Sequence, residues 1–196
     1  MNLYVSLLMR KWIAQFTLVI ALHLLFVTAA SASEEAKLDT PLLSTNSAIT
    51  LESLPSFKQV GKAQMKWLWL KIYQATLKTP SGVYQPNTWP ILLELNYQKD
   101  ITAKQLITST VKDWERQNIN YDELWIKKLN EIWPDVSSQD QLTLYVDEAS
   151  ISHFFYNSQF IGLVNDVLFA PAFSAIWLSE NTIKPAQRNQ LIGITL

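Results

Sequence analysis

The sequence predicts an α+β protein in which a layer of helices covers one face of an antiparallel sheet. Several stretches alternate apolar and polar residues with period two, as half-buried strands do. Other stretches repeat apolar residues with the helical period, and one of them begins with a capping box formed by Thr102 and Gln105. Strands come first, then two helices, then strands and two further helices. This order lacks the strand–helix alternation that a parallel sheet requires.

The first 32 of the 196 residues are predicted to form a secretory signal peptide. Arg10 and Lys11 make a short basic start, residues 12–27 are mostly apolar, and Ala30-Ser31-Ala32 is a small-x-small cleavage motif. A membrane anchor is the alternative, but the apolar run is short for a span of about 20 residues and contains polar side chains. We therefore expect an exported protein, periplasmic or secreted, without a stable membrane span after cleavage.

The remaining chain is expected to comprise a flexible stretch at 33–52 and one folded domain at 53–196. Loss of Arg10 and Lys11 lowers the number of Lys and Arg residues from 16 to 14, against 17 Asp and Glu, for a net charge of −3. This balance argues against nucleic-acid binding and against charge-driven binding to an anionic membrane. The chain has no cysteine and one histidine after residue 32, so we expect no disulfide, no metal site and no cofactor.

The longest alternating stretch is 62–80, which is rich in aromatic residues and ends at Pro80-Ser81-Gly82. As one strand it would extend for about 60 Å, far beyond a typical strand. The stretch therefore either bends sharply near Lys66 or contains two strands of a hairpin, and Gly61 is the expected position of a bulge.

Shorter signals predict the other elements. Strands are expected at 91–97, 141–147, 151–156 and 159–162, with a turn at Asn157-Ser158. Helices are expected after the Thr102 cap, at 121–133, from 166 to 178 with Pro171 in the first turn, and from Pro185 to 192. The apolar residues predicted to face inward are Leu106, Ile107, Thr110, Val111 and Trp114 in the first helix and Leu124, Trp125, Leu129 and Ile132 in the second.

None of the established catalytic motifs is present in the sequence. A Ser-His-acid triad would have to use His153, which shares a strand face with Ile151 and Phe155 and is interpreted as a core histidine with a hydrogen-bond partner. The paired carboxylates Asp122-Glu123 and Asp147-Glu148 lie at the ends of elements, where solvated charge is normal.

Lys71 interrupts the apolar row that contains Trp69 and Tyr73. One interpretation is a cation in a cleft that neutralises a ligand anion, with hydroxyl donors from Tyr73 and Tyr97. The other is a register shift, or a long side chain that reaches solvent. Trp67 and Trp69 are predicted to belong to the core, with a ligand platform as the alternative.

The stretch VGKAQMKWLWLKIYQATLKTP (60–80) resembles the paired-strand signature of bacterial chalcone isomerase-like proteins. The resemblance covers roughly 53–193 and continues through segments 100–106, 129–136, 141–144, 156–159 and 173–178. It implies an open-faced β-sandwich with a ligand cleft between an antiparallel sheet and its helices. In this family, plant enzymes close a flavanone ring, and non-catalytic relatives bind fatty acids in the same cleft.

The polar groups of the plant enzymes are not matched. The resemblance places Met65, with Lys66 beside it, at their arginine, and Tyr73 at their threonine. It places Ile101 at their tyrosine and Thr108 at their asparagine. A shift of one or two residues would put Lys66 or Lys71 at the arginine position.

Together with the predicted signal peptide, the resemblance therefore implies an exported, non-catalytic protein that binds a small apolar ligand, such as a fatty acid or another carboxylate, in the cleft. The alternative is an isomerase of the intramolecular-lyase type acting on an unknown substrate, with Tyr73 and a lysine as the polar pair. The candidate ligand-binding residues are Lys66, Trp69, Lys71, Tyr73 and Tyr97.

Overall fold

The computed structural model describes residues 50–194, so the predicted signal peptide and most of the predicted flexible stretch lie outside the described residues. The strands are β1 (Lys58–Trp67), β2 (Leu70–Thr79), β3 (Ile91–Tyr97), β4 (Gln141–Val146), β5 (Ser152–Tyr156) and β6 (Gln159–Val164). The helices are α1 (Ala103–Arg116), α2 (Glu123–Ile132), α3 (Phe169–Leu178) and α4 (Pro185–Leu191). None of the helices in residues 50–194 combines the length and the apolar character needed to cross a membrane.

The strands form one antiparallel sheet in which the spatial order, β1 to β6, is the order along the chain. Helices α1 and α2 connect β3 to β4, and α3 and α4 follow β6. The predicted α+β class and the antiparallel arrangement are confirmed.

The two faces of the sheet are covered differently. Alternate residues on the helix side, including the cross-strand pairs Leu93–Leu144 and Leu95–Leu142, pack into the main core with the helices. On the other face a smaller cluster contains Leu92, Tyr145 and Phe155, and it is covered by three residues that precede β1: Leu51, Leu54 and Phe57. Thr50 also pairs with Gln159, so the described end of the 33–52 stretch contacts the sheet.

The long alternating stretch is a hairpin, which confirms the second of the two predicted alternatives. Strands β1 and β2 are joined by a two-residue turn, Leu68-Trp69, with Trp67 paired to Leu70. Trp67 and Trp69, at this turn, are 68% and 84% exposed. The prediction that these two tryptophans belong to the core is therefore wrong.

A register shift near the end of the hairpin explains Lys71. Met65 pairs with Tyr73, but the next pair is Lys66 with Lys71, which leaves Ile72 as the additional residue on β2. Because one additional residue moves the following side chains to the opposite face, Lys71 leaves the apolar row and is exposed. A second shift, between Gln59 and Gly61, confirms the irregularity expected at Gly61.

Side-chain caps begin the two central helices. The Thr102 hydroxyl accepts from the Gln105 N–H at 3.2 Å, and the Gln105 side chain accepts from the Thr102 N–H at 2.9 Å, which confirms the capping box. Asp122 caps α2 by accepting from the Leu124 N–H at 2.8 Å. Leu124 itself is 68% exposed, contrary to its predicted inward position. The buried residues of these helices are Ile107, Thr110 and Trp114 in α1 and Trp125 and Leu129 in α2.

Two glycines allow helices to approach the first and last strands closely. A Cβ atom at Gly61 in β1 would lie 2.1 Å from the carbonyl oxygen of Gln190 in α4. A Cβ atom at Gly162 in β6 would lie 2.5 Å from Cγ2 of Ile132 in α2. At Gly61 the obstructing atoms are backbone, so any other residue would force α4 away from β1, whereas at Gly162 the Ile132 side chain would have to move.

Candidate ligand-binding site

A cavity of about 140 Å³ lies between the helix-facing side of the sheet and the helices; we call it the interior cavity. Strands β2 to β5 supply its floor, and α1, α3 and the end of α2 supply its walls. Its lining is mostly apolar. The lining residues are Ile72, Tyr73, Leu93, Leu95, Tyr97, Ile101, Leu106, Ser109, Thr110, Asp113, Trp133, Leu142, Thr143, Leu144, Phe154, Phe173, Ile176 and Trp177.

Two tyrosines lie side by side on the floor of the interior cavity. Tyr73 on β2 and Tyr97 on β3 are direct cross-strand neighbours, and their ring centroids are 5.4 Å apart. The indole Nε1–H of Trp177 donates to the Tyr73 hydroxyl at 2.8 Å, so the Tyr73 proton remains available for an acceptor.

Both phenols are neutral near pH 7. Burial raises the pKa of Tyr73 to about 12, although the hydrogen bond from Trp177 acts in the opposite direction. Burial, followed by the neighbouring Tyr73, raises the pKa of Tyr97 as well. The pair therefore offers hydroxyl donors and no phenolate base.

Trp133, which also lines the interior cavity, carries an indole N–H without an acceptor among the described residues. Three other buried indoles have partners: Trp114 donates to the Ala172 carbonyl, Trp125 to Asp166 and Trp177 to Tyr73, each at 2.8 Å. Because buried polar groups normally find a partner, the N–H of Trp133 is a candidate donor to a molecule bound in the interior cavity.

A second cavity, of about 150 Å³, adjoins the first, and we call it the mouth cavity. The two cavities share Ile72, Tyr73, Asp113, Ile176 and Trp177. The residues that line only the mouth cavity come from the end of β1 and from the loop before α4: Met65, Lys66, Thr182, Ile183 and Lys184.

Charge is distributed unevenly between the two cavities. The interior cavity has one charged lining residue, Asp113, which contacts Arg116 one helical turn on. The mouth cavity shares Asp113 and adds two lysines, Lys66 and Lys184, and the Lys184 ammonium donates to the Lys66 carbonyl at 3.3 Å. An anion therefore meets cations at the mouth, whereas the interior offers only neutral donors.

The structure separates the five predicted site residues into three groups. Tyr73 and Tyr97 line the interior cavity together, and Lys66 lines the mouth cavity. Trp69 and Lys71 line neither cavity, and both are exposed at the end of the hairpin. This position of Lys71 agrees with the interpretation in which its side chain reaches solvent. Ligand binding by any of the five residues stays a prediction.

Of the four positions that the resemblance assigns to polar groups of the plant enzymes, Met65, Tyr73 and Ile101 line these cavities. The fourth, Thr108, is exposed, and its hydroxyl donates to the Lys104 carbonyl at 2.7 Å. Neither cavity is lined by an arginine.

His153 lies on the opposite face of the sheet, away from both cavities. Its Nε2 atom is 2.9 Å from Oδ2 of Asp147, and it is buried beside Tyr145, so its interpretation as a core histidine is confirmed. Within residues 50–194, no three His, Cys, Asp or Glu side chains gather into a group that could hold a metal ion.

Four residues of the site were not predicted from the sequence. Trp133 and Trp177 line the interior cavity, Asp113 lies where the two cavities adjoin, and Lys184 lies at the mouth. Their roles depend on how α1, α3 and the loop before α4 pack on the sheet. The only local signal was the high tryptophan content, and the sequence does not show which tryptophans lie in the core and which line a cavity.

Comparisons with known proteins support the fold. The chain is similar to a solved structure of an Arabidopsis thaliana fatty-acid binding protein, with a TM-score of 0.55 and 9% identity, over 71% of this chain and 88% of that protein. The predicted chalcone isomerase-like fold is confirmed. A Haemophilus influenzae protein described as uncharacterized is 28% identical over 141 residues, which are 71% of this chain and 69% of that protein. No protein-family model matches the chain.

Proposed function

We propose that this protein binds a small, largely apolar carboxylate, such as a fatty acid, between its sheet and its helices, and that it does not catalyse chalcone isomerisation. The observation that carries the proposal is the distribution of charge. The interior cavity is lined by apolar and neutral residues apart from Asp113, and the lysines lie only at the mouth. The solved fatty-acid binding protein with the same fold supports the ligand class.

This distribution also favours one orientation of the ligand. A carboxylate placed in the interior would lose its hydration without gaining a cation, which is costly. With the tail inside and the carboxylate at the mouth, the head lies near Lys66 and Lys184 and remains partly hydrated. The tail then fills the space beside Tyr73 and Trp133.

The size of the interior cavity limits what it holds. At about 140 Å³ it is close to the roughly 150 Å³ of an engineered protein cavity that binds benzene. Pockets for drug-sized molecules are usually about 300–1,000 Å³. The interior alone therefore accommodates a short chain segment or one ring, and a longer ligand must extend into the mouth cavity.

The alternative, an isomerase of the intramolecular-lyase type, requires a donor and a cation that act on one reacting centre. Tyr73 supplies a donor, but Lys71 points to solvent and Lys66 lies at the mouth. We therefore prefer the binding function. Incubation of the purified protein with chalcone should give no cyclised product above the uncatalysed rate, measured by loss of chalcone absorbance.

The binding function is tested by titrating delipidated protein with saturated fatty acids of increasing chain length in a calorimeter. We expect saturable binding with one site, and we expect Ile176→Trp to abolish most of it, because Ile176 lines both cavities. The matched control is Ile126→Trp, which adds the same ring to a half-buried position that lines neither cavity. Absence of heat with every fatty acid, or equal loss in both variants, would refute the proposal.

We also propose that the protein is exported, because residues 1–32 have the composition of a cleaved signal peptide. Sequencing the N-terminus of protein isolated from the periplasmic fraction of an expressing cell should give a chain that begins at Ser33. A full-length chain that remains in the membrane fraction would instead favour the anchor.

A further inference from the structure

The turn of the β1–β2 hairpin exposes three consecutive large apolar residues, Trp67, Leu68 and Trp69, which we call the hairpin tip. Each of the three is at least two-thirds exposed. Large apolar side chains scattered singly over a surface are normal, but a contiguous group that includes two tryptophans indicates an interaction site. No described element packs over these side chains.

The backbone of the turn places Leu68 in a conformation that is unfavourable for leucine. Leu68 has φ +54°, and among the described residues of the turn it alone has a positive φ. A positive φ at the first of two central residues is typical of a type II′ hairpin turn, in which glycine is the usual residue. Because a positive φ is unfavourable for leucine, turn formation does not explain the choice of this residue.

Two lysines flank the hairpin tip. Lys66 and Lys71 are direct cross-strand neighbours, and both are exposed. Neither forms an ion pair with another residue in the described range. Like charges directly opposite each other on adjacent strands are mutually repulsive, so the pair favours an anionic partner.

The hairpin tip lies next to the mouth cavity. Met65 and Lys66, which immediately precede the tip, line the mouth. On the other side of the mouth, Ile183 is 53% exposed, and the neighbouring Lys184 donates to the Lys66 carbonyl. The exposed apolar residues and the lysines therefore form one surface around the entrance.

We propose that this surface docks on a lipid bilayer, with Trp67, Leu68 and Trp69 in the interfacial region and Lys66 and Lys71 against anionic headgroups. Tryptophan is enriched at membrane interfaces because its ring is apolar and its N–H is polar, and lysines beside an apolar segment add attraction to anionic lipid. The net negative charge of the chain opposes docking by charge alone, so the apolar tip must dominate. Docking places the mouth cavity at the bilayer surface, and direct ligand exchange there rests on the proposed function.

The test uses the processed protein, purified after export, and vesicles of phosphatidylcholine with or without phosphatidylglycerol. The wild type should float with both vesicles and bind more strongly to the anionic ones. The double variant Trp67→Ser, Trp69→Ser should lose at least about tenfold in partitioning, since the buried apolar area sets the strength of interfacial binding. The control, Val167→Ser with Leu168→Ser, removes two exposed apolar residues elsewhere and should bind as the wild type does.

Two further variants separate the contribution of the two lysines to vesicle binding from that of Leu68. Lys66→Gln with Lys71→Gln should weaken binding to anionic vesicles by about fivefold per lysine and leave binding to phosphatidylcholine unchanged. Leu68→Gly should weaken binding to both vesicles while the melting temperature is unchanged or higher, because glycine suits the turn. A purely structural role for Leu68 would give no effect on vesicle binding.

Three results would overturn the proposal. The first is a wild type that binds neither kind of vesicle, and the second is equal binding of the tip variant and the control. The third is sedimentation data showing that a second copy of the chain covers the tip. Quenching of tryptophan fluorescence by brominated lipid should also be lost in the tip variant. Calorimetry with fatty acid in the absence of vesicles is independent of docking, so failure of the proposed function and failure of docking give different results.

Discussion

Tyr73 and Tyr97 show how burial determines what a cavity side chain can do. Because burial raises the pKa of both phenols, they remain protonated throughout the physiological range. A neutral phenol donates a hydrogen bond to a ligand oxygen but does not remove a proton from it. At the scale of single residues, the interior cavity is therefore equipped to hold a molecule rather than to transform it.

The carboxylate of Asp147 provides a test of stability against pH. Burial opposes its ionisation, but hydrogen bonds from His153 and from the N–H groups of Ile151 and Ala149 outweigh burial, so the pKa of Asp147 lies below its usual value. A carboxyl with a lowered folded-state pKa stabilises the protein above its unfolded pKa, about 3.9, and the contribution is lost as pH falls through the lower folded value.

We expect Asp147→Asn to lower the free energy of unfolding by about 1–3 kcal/mol at pH 7, because the buried His153 and two backbone N–H groups lose a charged acceptor. The difference in unfolding free energy between variant and wild type should shrink as the pH falls below the pKa that Asp147 has in the unfolded chain. Urea unfolding at a series of pH values measures both effects. The control is Glu148→Gln, which neutralises the adjacent exposed carboxylate. A difference that stays constant down to strongly acidic pH would contradict the assignment.

At the scale of elements, close contact of helix and strand depends on small residues. A methyl group at Gly61 would meet the backbone of Gln190 and Leu191 at 2.1–2.9 Å, and backbone atoms cannot move aside as a flexible side chain can. We expect Gly61→Ala to destabilise the protein by at least about 2 kcal/mol, through displacement of α4. Thermal unfolding measures the loss.

The control for Gly61→Ala is Lys62→Ala, one residue further along β1, where the side chain is exposed. It should change stability by less than about 0.5 kcal/mol. If both variants unfold at the wild-type temperature, α4 does not pack on β1 as described.

The elements themselves were largely predictable, and the reasons are local. Capping residues identified the start of α1, and alternation identified β3 to β6 to within about two residues. The hairpin was harder, because the alternating pattern runs through Trp67, Leu68 and Trp69 without a break. The two strands are separated by the turn at Leu68-Trp69, and the register shifts at Ile72. Neither feature contains the glycine or asparagine by which a sequence usually indicates a hairpin turn.

The fold of the whole molecule was predictable from the order of its elements together with the resemblance, but the site was predictable only in part. Tyr73 was singled out because it lies two residues after Lys71 in the same row, and Tyr97 because it ends the neighbouring apolar row; the two are cross-strand neighbours. Trp133, Trp177 and Lys184 were not found, because their approach to the sheet is decided by helix packing over long sequence separations.

The order of strands in the sheet, identical to their order along the chain, has a consequence for synthesis. Each strand pairs with the strand made immediately before it, so every newly emerged segment finds its partner already present. Pairing of this kind closes short loops and favours rapid folding, and only the β3–β4 step must wait for two helices to be made. A chain that emerges gradually, N-terminus first, can therefore build this sheet strand by strand without holding an unpaired strand for a distant partner.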